Sequence, residues 1–129
     1  FRSVFFDMPE SLYARCARGA VHQILVNLIQ NSIDSMEGQT SPRIDIAAAR
    51  SEDFMSISVR DHGPGIPPSA MQRLFEPFFT TKPIGKGLGL GLYLSYGLAG
   101  DLGGRLCAAN HPGGGAVFTL YLPVDGHAA

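Results

Sequence analysis

The 129-residue sequence is short of cysteine, of charge and of long apolar runs, and each shortage removes a class of protein. Its two cysteines, Cys16 and Cys107, lie far apart with no CxxC pair and no histidine at zinc-like spacing beside them. Neither a disulfide scaffold nor a zinc site is expected, and both thiols are read as reduced. Charged residues make up 16 % and the formal net charge is −1, so no basic excess is available to neutralise a phosphate backbone and no nucleic-acid partner is expected. Gly, Asn, Gln or a charge interrupts every apolar stretch well before the ~18 residues that a membrane span needs. The opening Phe1-Arg2-Ser3-Val4 has neither an initiator Met nor a signal-peptide pattern, and the expectation is a piece of a longer protein. With 45 % hydrophobic residues the chain is globular, and its length suits one core, so a single domain over residues 1–129 is expected.

What the sequence does have in quantity is sixteen glycines and nine prolines. They crowd between Gly63 and Gly115 and are absent between Gly19 and Gly38. In that glycine-free stretch Val21, Ile24, Leu25, Leu28, Ile29 and Met36 recur at offsets of three and four, which predicts a long amphipathic helix ending near Gly38. Ile44, Ile46 and Ala48 alternate with Arg43, Asp45 and Ala47, and Met55, Ile57 and Val59 alternate with Ser56, Ser58 and Arg60. Joined by Ser51-Glu52-Asp53, they predict a β-hairpin. A short helix over residues 69–74 and a second long helix over about 89–102 follow, the latter from the helical spacing of Leu94, Leu98 and Leu102 before Gly103-Gly104. Residues 105–109 and 116–122 read as a closing strand pair, and 4–7 and 12–17 as short strands. The fold class is α+β: a two-layer sandwich with helices on one face of a mixed, mostly antiparallel sheet.

Three stretches could carry chemistry. At about 100° per residue, Gln23, Asn27, Asn31 and Asp34 share one narrow arc of the first helix, bordering the apolar arc. Asparagine is a poor helix former, and a solvated face more often carries Lys and Glu; this row reads either as such a face or as ligands for a hard cation or phosphate. Asp61 follows the second hairpin strand on the core-facing parity, ahead of Gly63 and Gly65. A carboxylate there needs a donor, either its own loop or the amine of a ligand that the glycines let approach. In Gly85-Lys86-Gly87-Leu88-Gly89-Leu90-Gly91-Leu92 glycine occupies every second position ahead of a helix, as flexible structure or as an anion site at the helix N-terminus. Neither the dinucleotide fingerprint nor the P-loop pattern is present.

In order and register, Asn27-Leu28-Ile29-Gln30-Asn31, Asp61-x-Gly63-x-Gly65, Phe75-Glu76-Pro77-Phe78-Phe79-Thr80-Thr81-Lys82 and Gly87-Leu88-Gly89-Leu90-Gly91-Leu92 resemble the ATP-binding catalytic domain of sensor histidine kinases, across about residues 21–123. Thr80-Thr81-Lys82-Pro83-Ile84-Gly85, Ser95-Tyr96-Gly97 and Asn110-His111-Pro112 look most like the nitrogen-regulation and four-carbon-dicarboxylate transport sensors. The resemblance implies the Bergerat sandwich of the GHKL superfamily, with ATP held between helices and sheet under a lid at about residues 77–88. It implies that Asn31 coordinates Mg²⁺, that Asn27 lines the same site, and that Asp61 accepts from the adenine amine in a pocket shaped by Gly63, Gly65 and Ile66. Phe75 and Phe78 are expected to pack at the base of the lid. Gly87, Leu88, Gly89, Leu90 and Gly91 are expected to present backbone to the phosphates, with Lys82 and Lys86 as lid cations and Lys82, Asn27 and Asn31 in catalysis. Leu88 stands where many members have Thr, and His62 where Asn is common.

Hydrolytic relatives carry a Glu at the position of Asn27, and an amide cannot act as that base. Transfer to a protein histidine is therefore favoured over a hydrolytic ATPase, an anti-sigma-type serine kinase or a degenerate nucleotide-binding module. His22, His111 and His127 all lack the setting of a phosphoacceptor. The resemblance thus places the acceptor on an N-terminal dimerisation domain and implies a response regulator as partner. It also implies a homodimeric parent anchored in the inner membrane, with this part in the cytoplasm.

Overall fold

The computed structural model describes residues 18–81 and 89–123. The expected strands over residues 4–7 and 12–17, together with Lys82, Lys86, Gly87, Leu88, Cys16 and His127, lie outside the described residues. The first helix, α1 (Arg18–Ser35), buries Val21, Ile24, Leu25 and Leu28 along one stripe, as the offsets of three and four predict. Gly38, at φ 89°, turns the chain out of its end. The hairpin follows as β1 (Ile44–Arg50) and β2 (Phe54–Asp61), closed by Ser51, whose hydroxyl accepts from the Phe54 N–H at 3.2 Å. A single helical turn, α2 (Pro68–Met71), leads through the aromatic stretch, and α3 (Gly91–Asp101) precedes β3 (Arg105–Asn110) and β4 (Ala116–Pro123).

Among the described residues four strands pair in the order β1-β2-β4-β3, each pairing antiparallel. Strand β4 therefore sits between β2 and the edge strand β3, with Leu120 opposite both Ile57 and Leu106. The period of two puts Met55, Ile57, Val59 and Asp61 of β2, and Ala116, Phe118, Leu120 and Leu122 of β4, on the face covered by the helices. Each large apolar side chain buried in that layer contributes about 1.5–3 kcal/mol relative to exposure.

Helix α3 forms where the spacing predicts, but on a different face. Leu94 is 52 % exposed, and the residues that meet the rest of the protein completely are Ser95 and Ala99. Small side chains there let α3 lie close to α1, while Leu92, Leu98 and Leu102 pack only partly at the sides. The chain thus brings the polar row of α1, the start of α3 and the exit of β2 to one end of the sandwich.

Candidate functional site

The polar row of α1 divides into two parts. Gln30 Nε2 donates to Asp34 Oδ1 at 3.0 Å on the exposed side. Asn27 turns inward: its Nδ2 donates to Ser95 Oγ at 2.9 Å and to the Gly91 carbonyl at 3.3 Å, while its Oδ1 accepts from Gln23 Nε2 at 3.1 Å. The amide at position 27 thereby fastens α1 to the first turn of α3, and its nitrogen is committed to that contact. One turn on, half-buried Asn31 lines two cavities of about 350 and 240 Å³, which also share Leu74 and Thr81.

Asp61 ends β2 only 2 % exposed, on the side that strand parity predicts. Its Oδ1 accepts from the N–H of Gly63 at 2.9 Å and of Ala116 at 3.1 Å. One carboxylate oxygen thus organises the loop and the neighbouring strand, and the carboxylate also lines the smaller cavity. The reading in which Asp61 bonds its own loop is what the structure shows. The glycines after it serve a purpose the sequence does not reveal. A Cβ on Gly63 would lie 3.1 Å from the carbonyl and hydroxyl oxygens of Ser35, and one on Gly65, at φ 86°, would lie 2.9 Å from Asn110 Oδ1. The room is taken by the protein itself, at the end of α1 and the end of β3. Asn110 accepts from the Ile66 N–H at 2.7 Å and donates to the Ile66 carbonyl at 2.9 Å.

The larger cavity is bordered by Phe79, Thr80 and Thr81 on one side and by Gly89 on the other. Phe75 stacks on Tyr96 with ring centroids 4.8 Å apart, and Phe79 lines the cavity beneath the Arg73 guanidinium, 4.7 Å from the ring centroid. Phe78 departs from the expectation: it is 71 % exposed, at φ 66°, and does not pack at the lid's base. Its backbone explains this, because the Phe78 N–H donates to the Gly89 carbonyl at 2.9 Å, and the turn this requires swings the ring outward. Gly89, at φ 74°, crosses so close that a Cβ would lie 2.6 Å from the Phe78 carbonyl carbon and the Phe79 carbonyl oxygen. Leu90 caps α3 without any side-chain hydrogen bond, and Gly89, Leu90 and Gly91 all line the larger cavity. Uncapped N–H groups at a helix N-terminus suit an anion.

The structure therefore gathers Asn27, Asn31, Asp61, Gly65, Ile66, Gly89, Leu90 and Gly91 around two adjoining cavities. Gly63 packs against Ser35 and Asp61 and Phe75 against Tyr96, and neither lines these cavities. Sequence reasoning overlooked Ser95, Asn110 and Phe79 as parts of the site. It also gave no sign of Ser32, whose hydroxyl is buried among the apolar stripe of α1 with no hydrogen-bond partner among the described residues. Ser95 and Asn110 stood in Ser95-Tyr96-Gly97 and Asn110-His111-Pro112, segments read only for their likeness to particular sensors.

The described histidines, His22, His62 and His111, sit apart from this chemistry. His62 Nε2 lies 2.8 Å from Asp45 Oδ2, and Arg43 Nε 2.9 Å from Asp45 Oδ1. The bond to His62 holds the Asp45 carboxyl below its ordinary value, with burial opposing and Arg43 assisting. His111 Nδ1 accepts from the Gly113 N–H at 2.8 Å inside the β3–β4 turn, and His22 is exposed on α1. Among the described residues no three His, Cys, Asp or Glu side chains come together as a metal cage. A cation at Asn31 would draw most of its ligands from phosphate and water, the way Mg²⁺ is commonly held, so the residues present fit that ion.

Comparison with known proteins gives a consistent result. The family profile described as histidine kinase-, DNA gyrase B-, and HSP90-like ATPase matches residues 17–126. The C4-dicarboxylate transport sensor protein DctB of Pseudomonas aeruginosa is 40 % identical over 118 residues, which cover 90 % of this chain and 19 % of the sensor. The chain thus spans about a fifth of that relative's length. Among solved structures, the catalytic domain of histidine kinase ThkA superposes with a TM-score of 0.74 at 33 % identity, covering 84 % of this chain and 70 % of that one. Full-length ShkA in complex with AMPPNP gives 0.71 at 31 % identity, covering 83 % and 22 % respectively.

Proposed function

This chain belongs to the histidine kinase-, DNA gyrase B- and HSP90-like ATPases, among the catalytic domains of sensor histidine kinases, and on that premise we propose that it binds ATP with Mg²⁺ and donates the γ-phosphate to a histidine on a separate domain. The observation that carries the reading is the buried Asp61 carboxylate in one cavity and the uncapped start of α3 in the next, with Asn31 between them. The smaller cavity suits a base, since Asp61 is an acceptor fixed by two backbone donors and Ile66 supplies an apolar wall. The larger suits phosphates, with backbone N–H groups at the start of α3 and no side chain on Gly89 or Gly91. Asn31 would hold Mg²⁺ through its amide oxygen, and the ion when bound supplies charge neutralisation of the phosphates. Lys82, Lys86, Gly87 and Leu88 remain the lid residues proposed to complete that cradle.

Asn27 argues for transfer rather than hydrolysis. An amide does not take a proton from water, and here its nitrogen is occupied by Ser95 and Gly91, so the side chain serves as a fastening. The acceptor is proposed to lie on an upstream dimerisation domain of a longer, membrane-anchored homodimeric sensor, with this domain on the cytoplasmic side and a response regulator downstream. The AMPPNP complex of the relative ShkA supports nucleotide binding.

The test is incubation of the chain with γ-labelled ATP, Mg²⁺ and the upstream segment of its parent protein. Label is expected on a histidine of that segment, whereas steady phosphate release with no labelled protein would sink the transfer reading. In Asp61→Asn an amide nitrogen replaces the oxygen that faces the base amine, donor against donor, and ATP affinity is expected to fall about tenfold or more. Asn31→Asp is expected to impair Mg²⁺-dependent transfer more than nucleotide affinity.

A further inference from the structure

We propose that Asn110 is a positioning residue for the base cavity and a determinant of selectivity for 6-aminopurines; the inference rests on the nucleotide reading and deepens it. Ile66 stands where neither sheet nor helix can hold its backbone. Gly65 before it is in the left-handed region, and Pro67 after it has no N–H to contribute. Both polar groups of Ile66 are nevertheless bonded, and to a single side chain: Asn110 Oδ1 accepts its N–H at 2.7 Å, and Asn110 Nδ2 donates to its carbonyl at 2.9 Å. A planar amide bonded to both the N–H and the carbonyl of one residue holds the two peptide groups on either side of its Cα.

The other end of the same residue reaches Asp61. Asn110 pairs through β3 with Ala116, and the Ala116 N–H donates to Asp61 Oδ1 at 3.1 Å. The carboxylate that would read the amine and the wall that would hold the ring are therefore tied to one strand end. Gly65 belongs to the same arrangement, because its missing Cβ leaves the space that Asn110 Oδ1 fills. Without the amide, the Ile66 N–H and carbonyl lose these two bonds in a partly exposed loop in which the Ile66 side chain is buried, and the wall moves independently of Asp61. A ring held loosely presents its substituent to the carboxylate less well, so selectivity falls more than general nucleotide binding.

The experiment measures the affinities of the 129-residue chain for ATP and for inosine triphosphate, which carries an oxygen in place of the 6-amino group. It uses wild type, Asn110→Ala and Asp61→Asn. The wild type is expected to prefer ATP, and Asn110→Ala to reduce that preference about tenfold. Because the ratio of the two affinities is taken on one variant, any unfolded fraction cancels, and a merely structural role leaves the ratio unchanged. A ratio preserved in Asn110→Ala while Asp61→Asn loses it would overturn the Asn110 proposal alone. A wild type that binds both nucleotides equally would overturn the base assignment to Asp61 and the Asn110 proposal with it.

Discussion

Gly89 and Gly91 are near neighbours in one motif, yet they are glycines for different reasons. At Gly89 the backbone is in the left-handed region and a Cβ would strike the Phe78 and Phe79 peptide at 2.6 Å, so the fold itself requires the glycine. Gly91 is the first residue of α3, and the nearest atom to its Cβ position is Asn27 Cγ at 3.9 Å. Nothing among the described residues forbids a methyl group there, and alanine is the better helix former. Gly89→Ala is therefore expected to lower stability by about 1–3 kcal/mol, while Gly91→Ala melts at or slightly above the wild-type temperature and loses nucleotide affinity. Thermal melts paired with nucleotide titration separate the two. A Gly91→Ala variant with full affinity would show that this glycine is not kept for the phosphate. At this scale Asp61 was legible, because strand parity is a local rule that places a side chain without knowledge of its partner. The clamp of Asn110 on Ile66 was not, because it joins residues forty-four positions apart and depends on how two loops meet.

Among elements, α1 and the β1–β2 hairpin follow directly from their periodicity, since each buries a stripe or face that the sequence marks out. Helix α3 shows the limit of that signal. Its leucines promise one face, but the contact with α1 is made by Ser95 and Ala99, because a hydroxyl that receives Asn27 and a methyl allow closer approach than leucine does. Periodicity weighs apolar size and is blind to a polar fastening. A second cross-tie links β1 to the exit of β2, where His62 and Arg43 both meet Asp45. The Asp45 carboxyl is lowered in the folded protein, mainly by the bond to His62, so it favours folding above its ordinary value of 3.8 and loses that contribution as pH falls through its folded value. The pair is partly exposed, so screening keeps the effect small. Asp45→Asn is expected to reduce Tm by about 1–3 °C at pH 7, with the gap to wild type closing below pH 3.8. A gap that widens on acidification would contradict this sign.

For the whole molecule, the layers could be read from the sequence but not the cavities between them. Each cavity draws its walls from segments far apart in the chain, with α1, the aromatic stretch and the start of α3 around one and α1, the loop after β2 and the start of β4 around the other. Only the strand order β1-β2-β4-β3, which puts Ala116 beside the exit of β2, explains how Asp61 obtains its second donor. A ligand filling both cavities binds across every one of these segments and none of them in the unfolded chain, so it should stabilise the whole domain. At a nucleotide concentration about 100 times Kd the gain is about 2.7 kcal/mol, which for a domain of this size raises Tm by roughly 10 °C. The rise is expected with ATP and Mg²⁺, to shrink when the metal is chelated, and to lose its metal dependence in Asn31→Ala if the two cavities are joined through an ion held at that residue. A rise that chelation leaves untouched in the wild type would remove Asn31 from the metal site, while leaving Asp61 and the base cavity as they stand.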